Sequence, residues 1–509
     1  MVESELGRFR CRISIHAVNG KASNQRLKTA GYRRAICLLV KSNSFRNAAD
    51  IFNLTYHRKE TCDELSYGTI AGDIEQEGRA LLECKRQTAQ SLLSSHGFAA
   101  SGLYPDPELP EKYRNRICEM LTISGDELLR KIVPGWDGEK TELDQPELIS
   151  EPDDPDAGSA ECQEMTAYSE ADMEVFRTKR CRRGKRAEVS AEDKQQVCSS
   201  FASWYNRKSS KEIYGIIHTW QIEKNSGDAI YISIDAVFVD QQAETRSKAG
   251  MPNNPERQMA DGTVRKISHM NIRLDADDSA YFITSTDTEE AFRELVAVIL
   301  NNELYRRFMV FFIDGELSLA EHIKTYFSRW EHKVYLDWMH LEHKCYERLS
   351  MAITGKRVAD PRGNVEYYSK GPKKGQVKNQ DFIALSRLYA RAMIRILWTG
   401  NVDEAINYIA NLDPKIVKNK GEAERLSKYL ENKREWITCY ALRKKAGLKN
   451  SSNGVECQNN VLVAERQKNG RASWRPEGSG YLSSITALFS NGEDREWFYG
   501  GKISFKMAV

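Results

Sequence analysis

Two periodicities alternate through the middle of the chain. Ile230, Ile232 and Ile234 alternate with Tyr231 and Ser233, run into Asp235 and continue as Ala-Val-Phe-Val, which predicts a strand with an aspartate in its interior. Further strands are predicted over Ile267 to Leu274 and Ala280 to Ser285. Thr286 and Glu289 then read as a capping box. It opens a helix whose apolar positions Phe292, Leu295, Val296, Ile299 and Leu300 follow i, i+3, i+4, i+7 and i+8. Phe308 to Ile313 is an unbroken apolar run stopped by Asp314 and Gly315, the profile of a central strand covered on both faces. Leu319, Ile323 and Phe327 return to helical spacing, and Lys333 to Leu336 predicts a fifth strand ending at Asp337. The order is three strands, a helix, a strand, a helix and a strand, which predicts a mixed five-stranded α/β sheet.

Helical patterns flank this block. Upstream, Ala48, Ala49 and Phe52 mark one short amphipathic helix, and Ile70 and Ile74 mark another over Ser66 to Gly78. A helix, turn and helix of this size suits a DNA-binding helix-turn-helix, with Ser66, Tyr67 and Thr69 near the amino end of the recognition helix. The same pattern also suits any small α domain. Downstream, a loop rich in Lys, Arg, Gly and Pro from Thr354 to Lys378 leads into helices predicted over Phe382 to Trp398, Val402 to Leu412 and Ala423 to Leu442, an α-helical insertion.

Composition divides the chain further. At 509 residues it exceeds one simple core. The stretch after Val133 turns to Pro, Asp, Glu, Gly and Ser, the composition of a linker. A basic run follows, with Arg177, Lys179, Arg180, Arg182, Arg183, Lys185 and Arg186 within ten positions. It suits a phosphate backbone, and equally a solvated counterpart to the acidic tether. The resulting division is a helical region 1–132, a linker 133–204, the first part of the sheet domain 205–350, the insertion 351–449, and a last helix and tail 450–509.

The overall charge of +3, from 75 basic and 72 acidic residues, indicates no partner. Eleven scattered cysteines without a Cys-x-x-Cys pair argue against a disulfide framework and a zinc ribbon, and point to a reducing, cytoplasmic setting. No apolar run is long enough for a membrane span, and the charged start lacks the core of a signal peptide.

Asp314 and Asp337, each at a strand end, are the first site candidates, although a single strand-end Asp equally suits a solvated turn, and Asp235, inside a strand, joins them. Strand ends in open α/β sheets carry chemistry, and an acid inside a strand is costly to bury without a partner such as a metal. The strand order resembles the ribonuclease-H-like fold of polynucleotidyl transferases, in which the first and fourth strands are neighbours and a third acid comes from a late helix. Gly454-Val-Glu456, Asn459, Ala464, Arg466, Lys468, Gly470 and Trp474 resemble the carboxyl-terminal signature of bacterial insertion-sequence transposases of the DDE type. Asp337-Trp-Met-His340 is similar to their Asp-x-x-His element, and the paired upstream helices are similar to their helix-turn-helix.

The resemblance implies metal-dependent DNA cleavage and strand transfer, with Asp235, Asp314 and Glu456 holding two Mg²⁺ or Mn²⁺ ions and Asp337 and His340 accessory. It implies double-stranded DNA as element end and target, and at least a homodimer in a nucleoid-associated active complex. Arg466, Lys468 and Arg471 would lie beside DNA, with Trp474 available to stack on an unpaired base. Three alternatives stand beside it: an inactive sequence-specific DNA-binding protein, a nuclease of the same fold without strand transfer, and a carbohydrate hydrolase using two carboxylates. The last leaves the basic run and the paired helices unexplained. An Asp-His-His zinc site through His343 lacks a further ligand at convincing spacing.

Overall fold

The computed structural model describes residues 2–4, 7–9, 27–55, 64–115, 229–242, 265–359, 365–370, 372–445, 448–452, 455, 459–468 and 473–507. Among these are twelve α-helices and a five-stranded mixed sheet.

The sheet strands are β1 (Ile230–Asp240), β2 (Lys266–Ala276), β3 (Ser279–Ser285), β4 (Met309–Ile313) and β5 (His332–Leu336), within a few residues of their predicted bounds. Their spatial order is β3-β2-β1-β4-β5. The first three form an antiparallel meander, whereas β4 and β5 run parallel to β1. The unbroken apolar run of β4 follows from its central position. Met309, Phe311 and Ile313 enter the main core on one face, while Val310 and Phe312 join Tyr335 on the other.

The first helices are α1 (Ala30–Ser42), α2 (Phe45–Thr55) and α3 (Tyr67–Ser95). The second predicted helix therefore runs well beyond Gly78. Leu81, Ala89 and Leu93 extend the buried stripe begun by Ile70 and Ile74, and this stripe joins the same core as the sheet. Helix α4 (Thr288–Asn301) is consequently buried on more than its predicted face, with Ala297 and Val298 also covered. Lys85 on α3 binds Glu294 on α4 at 2.7 Å, and Arg86 binds Glu290 at 2.7 Å. The cap of α4 corrects the predicted capping box: Asp287, not Thr286, accepts from the Glu290 N–H at 3.0 Å.

Helix α5 (Leu317–Phe327) connects β4 to β5, and α6 (Trp338–Ala352) leaves β5. The insertion follows as α7 (Leu385–Trp398), α8 (Val402–Ala410), α9 (Lys420–Asn432) and α10 (Tyr440–Lys445), around a second core centred on Trp338, Trp398 and Tyr440. Two predicted helices change here. Phe382–Ala384 is a strand paired with Arg357–Ala359, so α7 begins only at Leu385. The single helix predicted over Ala423 to Leu442 breaks at Lys433, and a 3₁₀ turn spans Arg434–Trp436.

The chain returns to the sheet through a π-helix (Asn460–Lys468), α11 (Pro476–Ser490) and α12 (Asp494–Gly500). Gly78 lets α3 and α11 touch, because a Cβ there would collide with the Tyr481 side chain. No described helix is long and apolar enough to cross a membrane.

Candidate functional site

The sheet brings the predicted strand acids to one level. The ladder from β1 to β4 pairs Ile230 with Met309 through Ser233 with Phe312, and that from β4 to β5 pairs Met309 with His332 through Ile313 with Leu336. Counted on at the same offsets, Asp235 falls opposite Asp314, and Asp314 opposite Asp337. Asp235 stands inside its strand because β1 continues past the end of β4 along its antiparallel ladder with β2.

Asp235 is largely buried. Its Oδ1 accepts from the Ala236 N–H at 2.8 Å, and its Oδ2 accepts from the Asn459 side-chain amide. Burial raises its pKa above the ordinary value; His340 and the Ala236 N–H oppose that, and the charges of Asp314 and Asp337 add to it. Asp314 is half-buried and accepts from the Glu316 N–H at 2.8 Å.

Asp337 is fully buried and caps α6. Its Oδ1 accepts from the His340 backbone N–H at 3.1 Å and lies 3.2 Å from His340 Nδ1, while its Oδ2 accepts from the Ser452 N–H. Burial alone would raise this carboxyl, but the bonds and charge from His340 and the bond from Ser452 hold it below the ordinary value. Burial likewise works against a charged His340. The Asp337 hydrogen bond and the charges of Asp337, Asp235 and Asp314 outweigh it and raise the imidazole to about 9. His340 Nε2 stands 4.0 Å from Asp235 Oδ1. Asp337 therefore orients the imidazole, which faces Asp235.

Glu456 lies outside the described residues, as do Arg471 and the whole basic run from Arg177 to Arg186. Among the described residues, no three His, Cys, Asp or Glu side chains are gathered in a way that could hold a metal ion.

Two expectations for the DNA-facing residues are corrected. Trp474 is 8% exposed and is not available for stacking. Its backbone pairs with Asp240 and Gln242, its indole N–H donates to the Gln467 carbonyl at 3.1 Å, and Phe45 meets it edge-on. Arg466 is sandwiched in the same cluster, its guanidinium 5.3 Å from the Phe45 ring and 5.0 Å from Trp474, and burial lowers its pKa. A short apolar-aromatic contact outcompetes solvent for both. Lys468 stays exposed.

The amino end of α3 remains open. Ser66 is exposed and caps the helix, with its Oγ 2.9 Å from Thr69 Oγ1; Tyr67 is 52% exposed, with Arg46 over its ring at 5.8 Å. Asn53 on α2 clamps the chain just before Ser66 by exchanging two hydrogen bonds with the Leu65 backbone, at 2.8 and 2.9 Å.

Sequence reasoning missed four groups around the acids. Asn459 is buried and bridges the strands, accepting from Asn271 on β2 at 2.8 Å while donating to Asp235. Ser452 holds Asp337. From the insertion, the Tyr429 hydroxyl and Lys433 approach Gly315, next to Asp314. Burial lowers the Lys433 pKa, and Asp314 opposes that shift. Only Asn459 had a signal, its place in the carboxyl-terminal resemblance. Compared with protein-family models, with curated proteins and with solved structures, the chain finds no significant match.

Proposed function

We propose that the chain is a ribonuclease-H-like DNA transposase of the DDE type, with Asp235, Asp314 and Glu456 as its acidic triad. The observation that carries this reading is the level pairing of Asp235 with Asp314 on adjacent parallel strands, in a sheet ordered β3-β2-β1-β4-β5. Asn459 supports the third member. It bonds Asp235, and the three residue steps back to Glu456 span at most about 11 Å.

Asp235 and Asp314 offer the donor chemistry of a hard divalent cation. Asp235 is largely buried and the charges of Asp314 and Asp337 act on it, a repulsion that a cation would relieve, and carboxylate oxygen is the donor preferred by Mg²⁺ and Mn²⁺. Asp235, Asp314 and Glu456 would hold two ions, which when bound supply Lewis acidity at the attacking and leaving oxygens of phosphoryl transfer.

The protein's own groups do the rest. Asp337, with both oxygens accepting hydrogen bonds from protein donors, fixes His340, and His340 presents Nε2 beside Asp235 for a substrate phosphate. Ser66, Tyr67 and Thr69, with Arg46, offer an exposed helix end for duplex DNA. Lys468 and the run Arg177 to Arg186 add phosphate contacts. Joining two element ends requires at least two chains.

The test is strand joining: labelled duplexes carrying the flanks of the gene's own locus are incubated with the protein, Mn²⁺ and a target plasmid. Joined products are expected. Cutting without joining replaces the reading with a nuclease, and binding without cutting replaces it with a DNA-binding remnant.

A further inference from the structure

We propose that Lys433, contributed by the helical insertion, is a contact of the acid site to the phosphate at which the DNA strand is cut. This rests on the transposase reading above and adds to it a specific role for the insertion.

Lys433 stands where the predicted helix over Ala423 to Leu442 breaks. Its N–H closes the end of α9 onto Tyr429 and Leu430, and the chain turns away through Arg434–Trp436. Its side chain returns towards the sheet. The Cε lies 3.8 Å from the point where a side chain on Gly315 would begin, immediately after Asp314. The ammonium sits 4.4 Å from the centre of the Trp436 ring, and the residue is 5% exposed. Apart from that ring, among the described residues it has no ion pair and no side-chain hydrogen bond.

An ammonium with no oxygen acceptor among the described residues is a ready donor to an incoming anion. Asp314 is close enough to act on it electrostatically but is not within ion-pair distance. A ligand that engaged Lys433 together with cations held by Asp314 would be anionic and oxygen-rich. A phosphate diester held by cations on the acids meets these conditions, and Lys433 would bind its non-bridging oxygen as a point charge. Tyr429, whose hydroxyl lies 3.0 Å from the same point at Gly315, offers a neutral donor beside it. Lys433 thus joins His340 as a second cation near the acids, contributed by the insertion.

The test measures DNA affinity in Ca²⁺, with a neutral methylphosphonate placed at each phosphate around the junction that wild type cuts. In wild type, one position should weaken binding about tenfold, the loss of one charge-assisted contact. Lys433→Met should bind unmodified DNA about tenfold more weakly and be indifferent to the methylphosphonate there, so the two losses do not add. Lys433→Arg should keep the sensitivity, and the melting temperature of Lys433→Met should change little, since the substitution removes no hydrogen bond or ion pair among the described residues. Full sensitivity in Lys433→Met, or no sensitive position in wild type, overturns the contact while wild-type cutting still stands. If wild type neither binds nor cuts, the contact and the transposase reading fall together.

Discussion

Asn459 donates its side-chain amide to Asp235 Oδ2 while its own carbonyl oxygen accepts from Asn271 at 2.8 Å. One buried amide thus fixes the carboxylate of β1, is itself fixed by β2, and ties both strands to the segment entering the π-helix. Asn459→Leu should strip a donor from Asp235 and an acceptor from Asn271. The expected cost is about 1–3 kcal/mol in urea unfolding. An unchanged midpoint would mean that the bridge contributes nothing to the fold.

Gly315 is required for two separable reasons. Its φ is +96°, and a Cβ would lie 2.9 Å from Leu336 Cδ1 and 3.0 Å from the Tyr429 hydroxyl. Gly375 shares the left-handed backbone, with φ +84°, but has open space around it. Gly375→Ala should cost about 1 kcal/mol, the backbone term alone, and Gly315→Ala clearly more, about 2–4 kcal/mol. Equal losses in thermal unfolding would show that close packing beside Asp314 is not a constraint.

The metal-free protein should carry the pH signature of the His340–Asp337 pair. His340 is raised from 6.5 to about 9, so its contribution is complete below pH 6.5 and fades as pH rises through 9. Asp337 is depressed, so its contribution is present above its ordinary 3.8 and is lost as pH falls through its lower folded value. Wild type should therefore lose stability between pH 6.5 and 9 by a step that His340→Gln lacks. Parallel pH profiles for the two proteins would remove the charged pair from the account.

Trp474 and Lys468 separate packing from DNA contact. Trp474 is enclosed by Phe45 and Arg466, so Trp474→Ala should cost about 3–5 kcal/mol and leave the DNA affinity of the folded fraction nearly unchanged. Lys468→Glu should do the reverse, weakening binding and flattening its salt dependence at constant stability. Binding loss without destabilisation in Trp474→Ala would restore the indole as a stacking platform.

Local pattern made the sheet legible. The alternation of Ile230, Ile232 and Ile234 and the continuous run into Asp314 are written by burial on one or both faces, so strand bounds emerge within a few residues. The acids at strand ends were legible for the same reason. The extent of α3 was not, because Lys85 and Leu93 find partners on elements some two hundred residues away. Trp474 beside basic residues has the same local sequence whether it faces DNA or the core, and distant partners decide: Phe45 on α2 and the backbone of Asp240 and Gln242. Lys433 looked like one more charge on a helix until the helix broke beneath it.

The most direct test of the acid triad is nicking of end-bearing duplex DNA in Mn²⁺ by wild type, Asp235→Asn, Asp314→Asn and Glu456→Gln, each checked first for DNA binding in Ca²⁺. Wild type should nick, and each variant should bind DNA yet lose activity by at least about a thousandfold, as expected for removal of a ligand to the reacting centre. Retained nicking in any one variant would contradict that residue's place in the triad, and retained nicking in Glu456→Gln would break the link between the carboxyl-terminal segment and the sheet acids.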